Sequence, residues 1–147
     1  MQIDLRHASP DLIEADIAIV GAGAAGITMA RRLVAGGLRV VLLESGGLDY
    51  ESDTAALNAG FNVGEPYYEL EHARLRFFGG TTAIWGGRSA ELDAIDFEKR
   101  PWVAHSGWPF GLVEIKPWYA AAWKLVEVDF ARQQISENGL VAAHCRE

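Results

Sequence analysis

Residues 16–26 read DIAIVGAGAAG, and this stretch decides the fold. The apolar run 17–20 predicts a buried strand, and the three glycines after it have the spacing of the dinucleotide-binding fingerprint. Gly21 permits the tight turn out of the strand, Gly23 allows a pyrophosphate to approach the backbone, and Gly26 allows the next helix to pack closely. The stretch therefore predicts a βαβ unit with an anion site at the start of its helix.

The residues that follow complete this unit. We expect a first strand over 15–20, a helix over about 24–36 that stops at the glycine pair 36–37, and a second strand over 38–43. Glu44 ends the second strand, where its carboxylate can accept hydrogen bonds from the hydroxyls of an adenosine ribose and would repel a 2′-phosphate. The cofactor is then FAD or NAD rather than NADP. The alternative for Glu44 is a solvated loop residue.

Composition limits the class of protein. The chain has 147 residues, half of them apolar, which is typical of one globular domain. Its net charge of −7 argues against a nucleic-acid partner. We predict no signal peptide, and the apolar stretch 17–30 is too short and too rich in glycine to span a membrane, so a cytoplasmic location is expected. Cys145 is the single cysteine, and neither a disulfide framework nor a metal site can be built from it.

The rest of the chain is less regular. Scattered glycine, asparagine and proline predict loops over residues 46–71. Residues 115–128 predict a helix with Pro117 in its first turn and one apolar face. A doubly wound sheet needs more than two parallel strands, and no other long β-branched run is present. The fold class is therefore α/β, a Rossmann-like unit with glycine-rich excursions in an incomplete doubly wound domain.

A second motif, RFFGGTTAIWGGR, occupies residues 76–88. Two glycine pairs bracket two threonines and Trp85. The segment therefore supplies exposed backbone N–H donors, two hydroxyls and one aromatic surface. Such a segment can cradle a phosphate and then lie against a planar ring. The alternative is a glycine-rich loop in which Trp85 fills a core.

With these two motifs, the chain resembles the N-terminal FAD-binding part of a glucose-methanol-choline (GMC) oxidoreductase. The run RPWVAHSGWPF at 100–110, followed by Pro117-Trp118-Tyr119, also resembles the sugar-dehydrogenase-like branch of that family. The resemblance implies an N-terminal arm over 1–14 and, over 15–147, part of an FAD-binding domain whose substrate domain and C-terminal catalytic segment are absent.

The resemblance also implies an activity, which is hydride transfer from a sugar or alcohol CH–OH carbon to the flavin N5. The implied cofactor-binding residues are Gly21, Gly23, Ala24, Ala25, Gly26, Glu44, Ser45, Arg76, Gly79, Gly80, Thr81, Thr82, Trp85 and Gly86. Ile84 stands where some relatives carry a histidine bonded covalently to the flavin, which implies non-covalent FAD. No catalytic residue is assigned, because the family's base lies in the absent segment. His105 either approaches the flavin, makes a structural hydrogen bond or lies exposed.

Three hypotheses stay open from the sequence. The chain is part of a GMC-type enzyme, a stand-alone non-catalytic FAD- or ADP-binding module or remnant, or an NAD-dependent dehydrogenase domain. The first would take a sugar or alcohol as substrate once the missing domain is supplied. We expect self-association or a partner subunit as well, because without the substrate domain Trp85, Trp102 and Trp108 would be exposed to solvent.

Overall fold

The computed structural model describes residues 2–7 and 10–126. Contacts within the chain divide it into two compact units, residues 1–85 and 86–147. In the described part of the chain, no helix combines the length and the hydropathy needed to cross a membrane.

The first unit is built on the predicted strand, helix and strand. These are β1 (Ile17–Val20), α1 (Ala24–Ala35) and β2 (Val40–Leu43). The strands pair in parallel, with Ile17 opposite Val40 and Val20 opposite Leu43. The Gly21 N–H donates to the Leu43 carbonyl at 2.7 Å, so the pairing continues into the glycine turn. The α/β prediction is confirmed, and both strands begin two residues later than expected.

The glycine pair ends α1 as predicted. The Gly36 N–H donates to the carbonyls of Arg32 and Leu33, and the Leu38 N–H also donates to Leu33. Gly37 has a φ of +88°, a left-handed conformation that glycine adopts without steric cost. The chain therefore reverses at this point and enters β2.

Burial along β1 differs from the prediction of a strand buried throughout. Ile19 is 8% exposed and faces α1, whereas the neighbouring Val20 is 85% exposed. Successive side chains of a strand point to opposite faces of the sheet. One face of β1 packs on the helix, and the side chain of Val20 on the other face is open to solvent.

Residues 46–71 are not only loops, which corrects that prediction. They contain α2 (Ser52–Ala55), a 3-10 helix (Ala56–Asn58) and the first half of α3 (Leu70–Ala73). Each is about one turn long, too short to produce a helical period in the sequence. A further 3-10 helix covers Gly80–Ile84, inside the second glycine motif.

The second unit contains α4 (Ala94–Phe97) and α5 (Leu112–Leu125). Helix α5 begins before the predicted residue 115, because the Glu114 carboxylate accepts the Gly111 N–H at 3.0 Å and stabilises an earlier first turn. Pro117 consequently lies inside the helix, which corrects its predicted place in the first turn. The last two residues of the predicted helix, 127 and 128, lie outside the described residues.

Aromatic side chains form the packed part of the second unit. Phe97, Trp108 and Phe110 contact one another, with ring centroids 5.3 to 6.4 Å apart. Trp123 is buried, and its indole N–H donates to Glu91 at 2.8 Å. Trp102 and Trp108 are exposed, as is Trp85 in the first unit, in agreement with the uncovered tryptophans expected from the sequence.

Candidate functional site

The two glycine motifs meet in the first unit. The Gly79 N–H donates to the Ala22 carbonyl at 2.8 Å, and Gly79 pairs with Gly23 in an isolated parallel β-bridge. The Phe78 N–H donates to the Gly47 carbonyl at 2.9 Å. The turn after β1, the turn after β2 and the second motif therefore converge at the carboxyl ends of the strands, where open α/β sheets bind ligands.

The three glycines of the first motif differ in what surrounds them. Gly21 has a φ of +99°, a conformation that disfavours other residues. A Cβ on Gly26 would collide with the Gly21 carbonyl oxygen, so glycine is needed there for close packing. A Cβ on Gly23 would meet no protein atom within 4 Å. The protein leaves the space beside Gly23 open, as an approaching ligand requires.

The start of α1 adds an electrostatic attraction for anions. No side chain caps this helix, and no acidic residue lies in its first turn. The amides of Ala24, Ala25 and Gly26 have no acceptor within the helix, because the first bond runs from Ile27 to the Gly23 carbonyl. These amides and the positive end of the helix dipole favour a phosphate at this position.

The Glu44 carboxylate is held by four donors from the protein. Its Oε2 accepts the Ala22 N–H at 2.7 Å, and its Oε1 accepts the Ser45 N–H, the Ser45 hydroxyl and the Gly46 N–H at 2.8 to 3.3 Å. Glu44 is thus not a freely solvated loop residue. Because Oε2 receives a single protein donor, it keeps capacity for a ligand hydroxyl.

The protonation of Glu44 follows from these contacts. Partial burial raises the pKa of its carboxyl, but the hydrogen bonds from the amides of Ala22 and Gly46 and from Ser45 together lower it by more. The net result is a pKa below the ordinary value, so Glu44 is an anion and an acceptor at neutral pH.

Arg76 is half-buried and is linked to Glu44 only through the Ser45 hydroxyl. Its Nε donates to the Asn58 Oδ1 at 2.6 Å, and its Nη1 donates to the Ser45 hydroxyl at 3.3 Å. The Ser45 hydroxyl in turn donates to Glu44. Asn58 is not among the site residues predicted from the sequence. It comes from the segment predicted as loops, and no local pattern distinguishes it from other turn asparagines.

The polar groups of the second motif do not form the set of exposed donors that the sequence predicted. The N–H groups of Gly79 and Gly80 donate to the carbonyls of Ala22 and Phe77. The Thr81 hydroxyl accepts the Leu75 N–H, and the Thr82 hydroxyl donates to the Gly79 carbonyl at 2.5 Å. These groups hold the loop in shape and against the first motif.

Other predicted residues lie at or beyond the margin of this arrangement. Trp85 follows the 3-10 helix and is 43% exposed, while Gly86 begins the second unit and is not part of the geometry of the first. His105, in the second unit, is exposed with a φ of +58°. Cys145 lies outside the described residues. Within the described ranges, no three His, Cys, Asp or Glu side chains are grouped closely enough to hold a metal ion.

A cleft of about 910 Å³ adjoins Glu44. It is lined by β2, by residues 44–48 and by residues 2–6 of the N-terminal arm. Arg6 holds this arm through an ion pair with Glu51 at 3.0 Å. The cleft reaches Ala22 and Glu44 at the carboxyl ends of the strands, whereas Gly23 and α1 do not line it.

Comparison with known proteins identifies a family. The sequence profile of the FAD dependent oxidoreductases (DAO) matches residues 16–140. Paromamine 6'-oxidase from Streptomyces fradiae is 31% identical over 122 residues, a match that covers 71% of this chain and 21% of that protein. The 6'''-hydroxyparomomycin C oxidase of Streptomyces lividus is 32% identical over 117 residues, with the same coverage. The chain thus spans about a fifth of the length of these relatives. No solved structure matches significantly.

Proposed function

Because this chain belongs to the FAD dependent oxidoreductase family, we propose that its first unit holds the ADP half of FAD on the two glycine motifs. The observation that carries the proposal is the bridge between Gly23 and Gly79, next to the open space at Gly23. That bridge brings the uncapped start of α1 and the second motif to one place. A diphosphate there would have amide donors around it and no side chain in its way.

Each predicted residue has a role in this proposal. The diphosphate lies against Gly21, Gly23, Ala24, Ala25 and Gly26, and Arg76 adds a positive charge. Glu44, oriented by Ser45, accepts hydrogen bonds from the adenosine ribose. Gly79, Gly80, Thr81 and Thr82 cover the diphosphate and ribityl chain, and Trp85 and Gly86 lie near the flavin ring.

We further propose that the protein acts as a GMC-type oxidoreductase on a CH–OH group of a sugar or alcohol. When bound, the flavin supplies the hydride acceptor at N5. Two relatives support this substrate class, since their names describe oxidases of paromamine and of 6'''-hydroxyparomomycin C. The residues described here bind and orient the cofactor, and none of them is assigned as the base that takes the substrate proton.

The proposed attachment of FAD is non-covalent. Ile84 ends the 3-10 helix of the second motif, at the position where some GMC relatives carry a flavin-linked histidine. Its alkyl side chain has no nucleophilic atom and cannot form such a bond.

The test is the visible absorption spectrum of the purified chain, recorded before and after incubation with FAD and desalting. Retained flavin bands are expected, and excess ADP should displace them whereas NAD should compete weakly. A chain that stays colourless, or that binds NAD more tightly than FAD, would contradict the proposal.

A further inference from the structure

Asn58 holds residues 74–76 from a segment that neither glycine motif contains. Its Oδ1 accepts the Arg76 Nε–H at 2.6 Å, and its Nδ2 donates to the Arg74 carbonyl at 2.8 Å. The opposite orientation of the amide would place donor against donor and acceptor against acceptor, so the two neighbours fix the orientation. Both ends of the side chain are therefore used in holding residues 74–76.

The contact with Asn58 restricts the Arg76 guanidinium. This group is planar and carries five N–H donors, so a bond at Nε and a second bond from Nη1 to Ser45 set its plane. Asn58, Arg76, Ser45 and Glu44 then form a continuous chain of hydrogen bonds. The guanidinium is held before any ligand arrives, which lowers the entropy cost of binding.

The charge of Arg76 is not neutralised by a carboxylate. Among the described residues, ion pairs involve Arg6, Arg39, His7 and His72, and none involves Arg76. Its partners Asn58 and Ser45 are neutral. The orienting contacts therefore leave the positive charge available to an anion.

We propose that Asn58 is a positioning residue for the cofactor, which orients the Arg76 guanidinium for a nucleoside diphosphate bound at the start of α1. This inference rests on the proposed function, because it assumes that the site takes a diphosphate. Asn58 acts through Arg76 and not by touching the nucleoside. Its loss should therefore weaken the binding of the phosphates and not the binding of adenosine.

The experiment compares adenosine and ADP binding to the full chain by calorimetric titration. Asn58→Leu should weaken ADP binding about tenfold, the effect of losing one hydrogen bond to a charged group, and leave adenosine binding unchanged. In the Arg76→Leu background, Asn58→Leu should cause no additional loss. The matched control is Asn62→Leu, because Asn62 donates only to the carbonyls of Tyr67 and Tyr68 and should leave ADP binding as in the wild type.

A second measurement does not depend on whether Asn58→Leu folds. In the wild-type chain, the NMR signal of the Arg76 Nε–H, assigned with Arg76→Lys, should exchange slowly with water and shift with ADP but not with adenosine. A signal whose chemical shift does not change when ADP is added would overturn the inference.

The outcomes separate the two proposals. Two results would overturn the positioning role and leave the proposed function intact. One is ADP affinity that is unchanged in Asn58→Leu. The other is that Asn58→Leu weakens adenosine and ADP binding equally, and does so in the Arg76→Leu background as well. A wild-type chain that binds no ADP would overturn both.

Discussion

Gly23 and Gly79 lie side by side in a parallel β-bridge, although they belong to different motifs of the sequence. The Gly79 N–H donates to the carbonyl of Ala22, which is 1% exposed, so the bridge is part of the small core of the first unit. The second motif thus forms one wall of the space that the first motif leaves open. Substitutions can therefore distinguish a glycine that is needed for packing from one that leaves space for a ligand.

Gly23→Val should abolish FAD binding and leave the fold intact. Gly23 has a φ of −79°, which other residues adopt easily, and a Cβ there meets no protein atom within 4 Å. The valine side chain would fill the space where the diphosphate approaches. The measurement is retained flavin absorbance after desalting, together with thermal unfolding followed by circular dichroism.

Gly26→Ala is the control for this test. Its Cβ would collide with the Gly21 carbonyl, so it should lower the melting temperature even without cofactor. Unchanged FAD affinity in Gly23→Val would refute the role of Gly23. A melting temperature of Gly26→Ala equal to that of the wild type would refute the close packing of α1 on the turn.

Local chemistry explains why the sequence predicted the βαβ unit and its glycine turn well. The demands on Gly21, Gly26 and the glycine pair 36–37 are set by residues within one turn, and those demands can be inferred from spacing alone. The bounds of α1 follow from the same signals. The position of Glu44 at the end of β2 was predictable for the same reason.

Long-range contacts explain what the sequence could not predict. The contact of Asn58 with Arg76 joins two segments, and asparagine is common in turns for other reasons. The hydroxyls of Thr81 and Thr82 could bond to a ligand or to their own backbone, and only the folded loop determines which. The exposure of Val20 likewise depends on what packs against the far face of the sheet.

Glu44→Gln should destabilise the protein at neutral pH by roughly 1–3 kcal/mol, because an amide nitrogen cannot accept the N–H groups that now bind the carboxylate. The folded-state pKa of Glu44 is lowered from its ordinary value of 4.5. The charged carboxylate therefore stabilises the fold fully above pH 4.5, and this contribution is lost as the pH falls through the lower folded value.

Urea unfolding at neutral pH and at a series of acidic pH values would measure both effects. The wild type should lose more stability on acidification than Glu44→Gln does. Glu65→Gln is the control, since Glu65 is exposed and the substitution changes the net charge equally. Equal acid sensitivity of the wild type and Glu44→Gln would contradict the structural account of this carboxylate.

Flavin bound to this chain should be released by denaturation. Ile84 provides no atom for a covalent link at the predicted position, so precipitation with acid should leave all the flavin in the supernatant. The check is the absorption spectrum of the supernatant and of the redissolved pellet. Flavin that remains with the pellet would show a covalent link at another residue and contradict the proposed mode of binding.

Val20→Thr should reduce self-association and leave the stability of the folded chain nearly unchanged. Val20 is 85% exposed on β1, and threonine has the same branched shape with a polar hydroxyl. Exposed apolar groups on a sheet favour association with other chains. The unfolding free energy should change by less than about 0.5 kcal/mol, as is usual for surface substitutions. Sedimentation velocity over a range of concentrations measures the association.

Ile19→Thr provides the contrast one residue earlier on the same strand. Ile19 is 8% exposed and packs towards Gly26 of α1, so a hydroxyl there would be buried without a partner, and the chain should lose about 2 kcal/mol or more of stability. Equal losses from Val20→Thr and Ile19→Thr at low concentration would mean that the chain itself covers both faces of β1. A loss confined to Ile19→Thr, with weaker association in Val20→Thr, would identify the face of the sheet that carries Val20 as the surface through which the protein self-associates.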